Sequence, residues 1–198
     1  MINSIVRALI ATAILVFSAG AQSQQGGGQN AQQESAAKDP RARAKIHTEL
    51  GALYFQDGNV PVAMEELTIA IYLDPTYAPA YSMRALVHNY LKEPQYAEDN
   101  FREAVRYAPE DPEIANNFGW FLCQVDKKKE AMAQFERALR NRLYQTPERA
   151  YLNAGQCAVS MGDYSLGEDY LHKAYRMMGG NPAAGLRRSA RLRGGELE

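Results

Sequence analysis

The sequence predicts an all-α solenoid, in which paired antiparallel helices stack into a right-handed superhelix of about four full repeats plus a terminal helix. The first observation is that four series of residues recur at separations of 34, 34 and 36 positions. The series are Gly51, Ala85, Gly119 and Gly155; Ala63, Ala97, Ala131 and Gly167; Leu67, Phe101, Phe135 and Leu171; and Ala70, Ala104, Ala138 and Ala174. The second observation is that apolar residues between them keep helical spacing. This pattern is typical of the tetratricopeptide repeat, a helix–turn–helix unit that packs on its neighbours.

The small residues in these series have a packing role in the prediction. Two antiparallel helices pack closely only where small side chains face each other, since larger ones force the axes apart. In the third repeat, Gly119 on the first helix (helix A) and Ala131 on the second helix (helix B) supply that gap. Phe135, one turn beyond Ala131, fills the space beside it, and Ala138 lets the next repeat approach. We therefore expect all four series to lie between helices.

Residues 1–21 are predicted to be a secretory signal peptide. Arg7 is the only early charge, residues 8–17 form an apolar run, and Ala19-Gly20-Ala21 supplies an A-x-A cleavage site. A membrane anchor is the alternative, but the run has about half of the ~20 residues that are needed to cross a bilayer. We therefore expect a soluble exported protein.

The segment after the cleavage site carries no sign of lipid attachment and no sign of order. A bacterial lipoprotein would place a cysteine directly after the small-residue box, whereas the nearest cysteine here is Cys123, so no lipobox is found. Residues 22–41 are rich in Gln and Gly and lack aromatic side chains. Such a segment cannot bury enough apolar surface to offset its ordering entropy. The sequence therefore predicts a flexible linker, with helix beginning after Asp39-Pro40.

Four repeats are predicted within residues 42–181, at 44–77, 78–111, 112–145 and 148–181. In the first, Gly58 ends helix A, as glycine does at a left-handed helix end. Asp74-Pro75 closes that repeat, because a residue before proline disfavours helix. The second repeat carries Glu93-Pro94 at its turn instead of glycine, and two extra residues lengthen the connection around residues 144–147.

Residues 182–198 are predicted to form a partial fifth repeat or a capping helix. Leu186, Ala190 and Leu192 lie on one side of a helix that starts at Pro182. A cluster of arginines suits the solvent-facing cap that the end of a solenoid requires, and a basic docking patch is the alternative. The cluster consists of Arg187, Arg188, Arg191 and Arg193.

The composition and the motif content argue against several classes of function. The 198 residues carry a formal net charge of −1, so there is no basic excess that would indicate a nucleic-acid partner. The histidines, His47, His88 and His172, lie on different repeats without metal-ligand spacing. The sequence lacks the nucleophile-elbow, zinc-protease and phosphate-loop motifs. We therefore expect no enzyme activity, no metal, no cofactor and no small-molecule substrate.

The A helices of such a stack line its concave wall, where we predict a protein-binding groove. The candidate residues are Phe55, Asn89, Asn116, Asn117, Trp120, Asn153 and Gln156, and Lys45, Leu86 and Leu152 share the wall. Asparagine offers two donors and an acceptor, enough to hold an extended peptide backbone, and Asn117 and Asn153 are equivalent in successive repeats. Trp120, the only tryptophan, is a candidate aromatic anchor. Alternatively, Asn116 and Asn117 brace contacts between repeats, and Trp120 packs in the core.

Cys123 and Cys157 are the only cysteines. An exported protein permits a disulfide, and the two residues lie two positions apart in repeat register on neighbouring A helices. Helix axes pack about 8–10 Å apart, whereas a disulfide needs Cα atoms within about 7 Å. The sequence therefore favours two buried thiols over a bridge.

Three segments of the third and fourth repeats are more specific than the repeat pattern itself. They are Asn116-Asn117-Phe118-Gly119-Trp120-Phe121-Leu122-Cys123, the connection Leu143-Tyr144-x-x-Pro147-Glu148-Arg149-Ala150, and Asn153-Ala154-Gly155-x-Cys157. Together they resemble the type IV pilus biogenesis/stability (PilW/PilF) family of pilotin-type tetratricopeptide proteins. The resemblance extends over roughly residues 42–182.

The resemblance implies a non-enzymatic periplasmic adaptor, associated with the outer membrane of a Gram-negative cell, that assists assembly or stability of the pilus secretin. Its expected partner is the secretin subunit, and the membrane is reached only through that partner. Family members usually carry a lipobox cysteine and more repeats than are found here. The alternative is a general periplasmic scaffold, or a regulatory subunit for cell-envelope assembly enzymes.

Overall fold

The computed structural model describes residues 39–179, which form eight helices and contain no strand. The predicted signal peptide, nearly all of the predicted linker and the predicted partial fifth repeat lie outside the described residues. The linker was predicted to end at residue 41, but Pro40 and Arg41 already belong to the first helix. Proline fits the first turn of a helix, because the N–H that it lacks would have no intrahelical partner there.

The described helices form four antiparallel pairs. Their bounds are α1 Pro40–Gln56, α2 Val60–Leu73, α3 Ala78–Tyr90, α4 Pro94–Tyr107, α5 Pro112–Gln124, α6 Lys128–Arg140, α7 Pro147–Ser160 and α8 Tyr164–Met177. The odd-numbered helices are the A helices and the even-numbered ones the B helices. Each A helix packs along its own B helix, and each of the first three B helices also contacts the A helix of the next repeat. The predicted all-α tetratricopeptide fold is therefore confirmed.

Local sequence explains how the helices begin and how each hairpin turns. Asp111 caps α5, because its Oδ1 accepts from the backbone N–H groups of Glu113 and Ile114 at 2.9 and 3.1 Å. In the first and fourth repeats the hairpin turns through glycine in the left-handed region, with φ of +77° at Gly58 and +82° at Gly162. The second and third repeats turn through Lys92 and Asp126 at φ of 62° and 64°. Neither residue is glycine, so this conformation costs each of them roughly 1–2 kcal/mol.

The small residues lie where the two helices of a hairpin approach each other. A Cβ atom added to Gly119 would sit 2.8 Å from Cε1 of Phe135 and 3.1 Å from the carbonyl oxygen of Ala131. Equivalent approaches occur at Gly51 and Gly155. The predicted packing residues that are buried are Gly51, Ala63, Ala70, Ala85, Ala97, Phe101, Gly119, Ala131, Phe135, Ala138, Gly155 and Ala174. Leu171, in the last described repeat, is half-buried.

The described stack curves toward its A helices. Successive A helices contact each other from α1 to α7, whereas the Cα atoms of different B helices in the described chain stay more than 8 Å apart. A row of rods that touch on one side and are apart on the other must bend toward the touching side. The A helices therefore form the inner, concave wall of the described repeats.

Polar contacts also join the repeats. Lys127, at the turn of the third repeat, donates to both carboxylate oxygens of Glu98 on α4 at 2.7 and 2.8 Å. The hydrogen bond from Lys127 is the largest cause of a pKa at Glu98 that lies below its usual value, with a smaller contribution from Arg102. In the longer connection before α7, the Thr146 hydroxyl donates to Glu113 on α5 at 2.6 Å. These bonds fix the turns that present the concave wall.

A candidate protein-binding groove

A hollow of about 310 Å³ lies on the concave wall of the second, third and fourth repeats. Its lining residues are Leu86 from α3, Asn117 and Trp120 from α5, and Arg149, Leu152 and Asn153 from α7. This volume is at the small end of the range for ligand pockets. It can hold one or two side chains of a partner.

The repeat register explains why these residues converge. Leu86 and Trp120 occupy equivalent places in the second and third repeats, and Asn117 and Asn153 do so in the third and fourth. Because successive A helices lie side by side, equivalent residues fall in a row across them. The hollow is therefore a product of the repeat and does not depend on a single loop.

Trp120 lies on the wall and not in the core. Its side chain is 38% exposed, whereas Phe118 and Phe121 on the same helix are 4% and 0% exposed. Both phenylalanines pack on Phe101 of α4, with ring centroids 5.2 and 5.4 Å apart. The core is thus filled by the phenylalanines, and the indole faces the hollow beside Leu86.

The two neighbouring asparagines of α5 have different environments. Asn117 is half-buried and lines the hollow. Asn116 is only 1% exposed, and its Oδ1 accepts from Nδ2 of Asn153 at 3.0 Å. The prediction of Asn116 as a groove residue is therefore wrong, because its side chain is sealed behind the wall. It instead holds the amide of Asn153 in place, the inter-repeat bracing that the sequence left as an alternative.

Arg149 lines the hollow, although it is not among the groove residues predicted from the sequence. Its side chain is 55% exposed, and Nη1 lies 3.3 Å from Oε2 of Glu113, whose Oε1 accepts the Thr146 hydroxyl. Arg149 falls in the repeat position of Lys45, which the sequence had placed on the concave wall. That register position was the signal that could have found it.

The other predicted groove residues lie on A helices but outside the hollow. Phe55 on α1 contacts the exposed Tyr90 of α3 edge to face, with ring centroids 5.4 Å apart. Asn89 lies 3.5 Å from Gln124, amide to amide. Gln156 is exposed on α7. Phe55 and Tyr90 thus form an aromatic contact between neighbouring A helices, of which only Phe55 was predicted from the sequence.

The expectation of two free thiols is wrong. Cys123 on α5 and Cys157 on α7 form a disulfide, with Cα atoms 5.9 Å apart. The sequence argument compared the spacing of helix axes with a limit on Cα atoms. Cα atoms lie about 2.3 Å from their helix axis, so facing residues are closer than the axes by up to twice that distance. The bridge lies one turn beyond Trp120 on α5 and one turn beyond Asn153 on α7.

The described residues contain no group of His, Cys, Asp and Glu side chains that could hold a metal ion. The ring nitrogens of His47 and His88 lie 2.6 and 2.7 Å from the carboxylates of Glu66 and Glu93. Over residues 39–179, every helix is too short or too polar to cross a membrane.

Known proteins resemble this chain along most of its length, although no protein-family model matches it. It is 28% identical over 160 residues to the type IV pilus assembly protein PilF of Pseudomonas aeruginosa, a match that covers 81% of this chain and 63% of PilF. It is 31% identical over 150 residues to an uncharacterized protein of Haemophilus influenzae, covering 74% of this chain and 82% of that protein. The chain thus spans less than two thirds of the length of PilF.

Two solved structures of type IV pilus proteins are also similar to this chain. The crystal structure of PilW, a widely conserved type IV pilus biogenesis factor, superposes with a TM-score of 0.66 at 34% identity, covering 68% of this chain and 62% of PilW. The structure of P. aeruginosa PilF superposes with a TM-score of 0.70 at 24% identity, covering 77% and 76% of the two chains. At that identity, the likeness to the PilF structure concerns the fold alone.

Proposed function

Because this chain belongs to the family of tetratricopeptide-repeat proteins that includes PilF and PilW, we propose that it is a non-enzymatic periplasmic adaptor in type IV pilus biogenesis. In this role it binds the outer-membrane secretin subunit through the concave groove and assists assembly or stability of the secretin. It reaches the outer membrane only through that partner.

The observation that carries the proposal is the exposed Trp120 between Leu86 and Leu152 on the concave wall. Binding hot spots of protein interfaces are enriched in tryptophan, which buries a large apolar area when a partner covers it. Asn117 and Asn153 flank the indole with amide groups that suit a peptide backbone. The hollow thus combines an apolar anchor with polar groups that can orient a bound chain.

The proposed location in the periplasm has two supports. Two relatives are named for assembly or biogenesis of the type IV pilus, which is an appendage of the bacterial envelope. The disulfide between Cys123 and Cys157 would persist in an oxidising compartment such as the periplasm. The predicted signal peptide at residues 1–21 would provide the route of export.

The test is a pull-down with the full chain carrying Asn117→Ala together with Asn153→Ala. Each lost hydrogen bond weakens binding by about 1 kcal/mol, so the pair should lower secretin capture from envelope extracts by about tenfold or more. Immunoblotting for the secretin measures the captured fraction. Asn59→Ala, in the exposed turn before α2, is the matched control and should capture secretin like the unaltered protein.

Two results would count against the proposal. Undiminished secretin capture by the doubly substituted protein, with its helical circular-dichroism spectrum intact, would move the binding surface off the concave wall. Recovery of cell-envelope assembly enzymes without any secretin would replace the pilus role with that of a general periplasmic scaffold or a regulatory subunit.

A further inference from the structure

The concave hollow also indicates which chemistry its partner segment carries. We propose that the groove binds an extended internal segment that presents a bulky apolar side chain and, close to it, an acidic side chain. This inference rests on the proposed function, because it concerns the same groove. It goes further in that it specifies what the bound segment must contain.

The apolar requirement follows from the floor of the hollow. Leu86, Trp120 and Leu152 come from three different A helices and meet there. The indole is 38% exposed although two phenylalanines on the same helix are almost fully buried. Water over this surface would be displaced by one large aliphatic or aromatic side chain, which the volume of about 310 Å³ can hold.

The acidic requirement follows from charge complementarity. Arg149 is the charged residue among those that line the hollow. Glu113 binds one edge of its guanidinium from outside the lining, through a single contact of 3.3 Å. A guanidinium has five N–H donors in a fixed fork, and its free edge matches a carboxylate in two parallel bonds. Thr146 holds Glu113 in turn, so the free edge of Arg149 is oriented before a ligand arrives.

The extended conformation follows from the two asparagines. Asn117 and Asn153 present amide groups from equivalent places on neighbouring A helices, and Asn116 fixes the Asn153 amide at 3.0 Å. An extended chain that crosses those helices offers its own N–H and C=O groups in regular succession. Among residues 39–179, three helices of the concave wall line the hollow, and no described residue outside those helices closes it. A chain can therefore enter and leave it, as an internal segment requires.

The first experiment selects ligands for the purified full chain. Random decapeptides are displayed on phage, once as an internal segment and once with a free C-terminus. We expect the internal library to yield a consensus with one large apolar residue close to Asp or Glu, and selection on the Trp120→Ala variant to lose it. A consensus without an acid, one found only with free C-termini, or no selected peptide at all would overturn the inference.

The second experiment tests whether Arg149 is the group that reads the acid. Fluorescence anisotropy gives the Kd of the selected peptide and of its amide analogue (Asp→Asn or Glu→Gln) for the unaltered chain and for Arg149→Gln. For a partly exposed ion pair we expect Arg149→Gln to raise the Kd of the acidic peptide by about fivefold and the Kd of the amide analogue by less than twofold. Arg140→Gln, an exposed arginine of α6, is the matched control and should change neither Kd.

The two proposals fail separately in this design. If Arg149→Gln lowers the affinity for the acidic peptide and for its amide analogue equally, the proposed role of Arg149 is refuted. The secretin pull-down then still decides whether the groove binds the pilus partner. Loss of secretin capture in the pull-down without any acidic preference in the peptides would leave the adaptor role intact and remove only the proposed recognition chemistry.

Discussion

At the scale of a single residue, Gly119 shows how the absence of a methyl group sets the distance between two helices. The nearest atoms to its missing Cβ belong to the ring of Phe135, which is fully buried, and to the backbone of Ala131. Neither can move aside without disturbing the core. Two effects of Gly119→Ala therefore oppose each other: alanine gains about 1 kcal/mol of helix propensity, and the added methyl group overpacks the interface at a cost of about 1–3 kcal/mol.

We expect overpacking to prevail, so that Gly119→Ala lowers the free energy of unfolding by up to about 2 kcal/mol. Urea denaturation followed by circular dichroism measures this change. Ala133→Gly, at an exposed position of α6, calibrates the propensity term in the same protein and should cost about 1 kcal/mol. A Gly119→Ala protein that is more stable than the unaltered chain would show that the helices are not held at this distance.

At the scale of an element, the disulfide ties α5 to α7, the two helices that supply five of the six residues lining the hollow. It closes a loop with a sequence separation of 34 residues. Closing a loop of this length removes conformational freedom from the unfolded chain and is worth about 3–4 kcal/mol. The bridge therefore stabilises the part of the stack that carries the groove.

The double variant Cys123→Ala with Cys157→Ala should unfold with a free energy lower by about 3–4 kcal/mol. The unaltered protein should lose a similar amount when dithiothreitol is present, and the double variant should not respond to the reductant. Mass spectrometry after alkylation counts the free thiols in the unaltered chain. Two alkylated cysteines in the oxidised, folded protein would contradict the bridge.

At the scale of the whole molecule, the spacing of the repeats predicted the fold, whereas the individual side chains predicted the candidate site only in part. Recurring small residues were enough for the helical repeat fold, because each fixes a close approach that larger residues cannot make. The sequence did not distinguish the buried Asn116 from the half-buried Asn117. Adjacent residues point about 100° apart around a helix, and the sequence does not fix how the helix is rotated about its axis relative to the core. Arg149 was missed because the same repeat position carries Lys45, Pro79 and Glu113 in the other repeats, so no recurring residue type marks it.

The central claim is that the concave wall around Trp120 contacts the protein partner. The most direct test places the photocrosslinking residue p-benzoylphenylalanine at position 120 in intact cells. A matched protein carries it at position 72, where Tyr72 is 84% exposed on the B helix α2. We predict an adduct with the secretin subunit from position 120 and none from position 72. Secretin adducts from position 72 alone, or from both positions equally, would contradict the account.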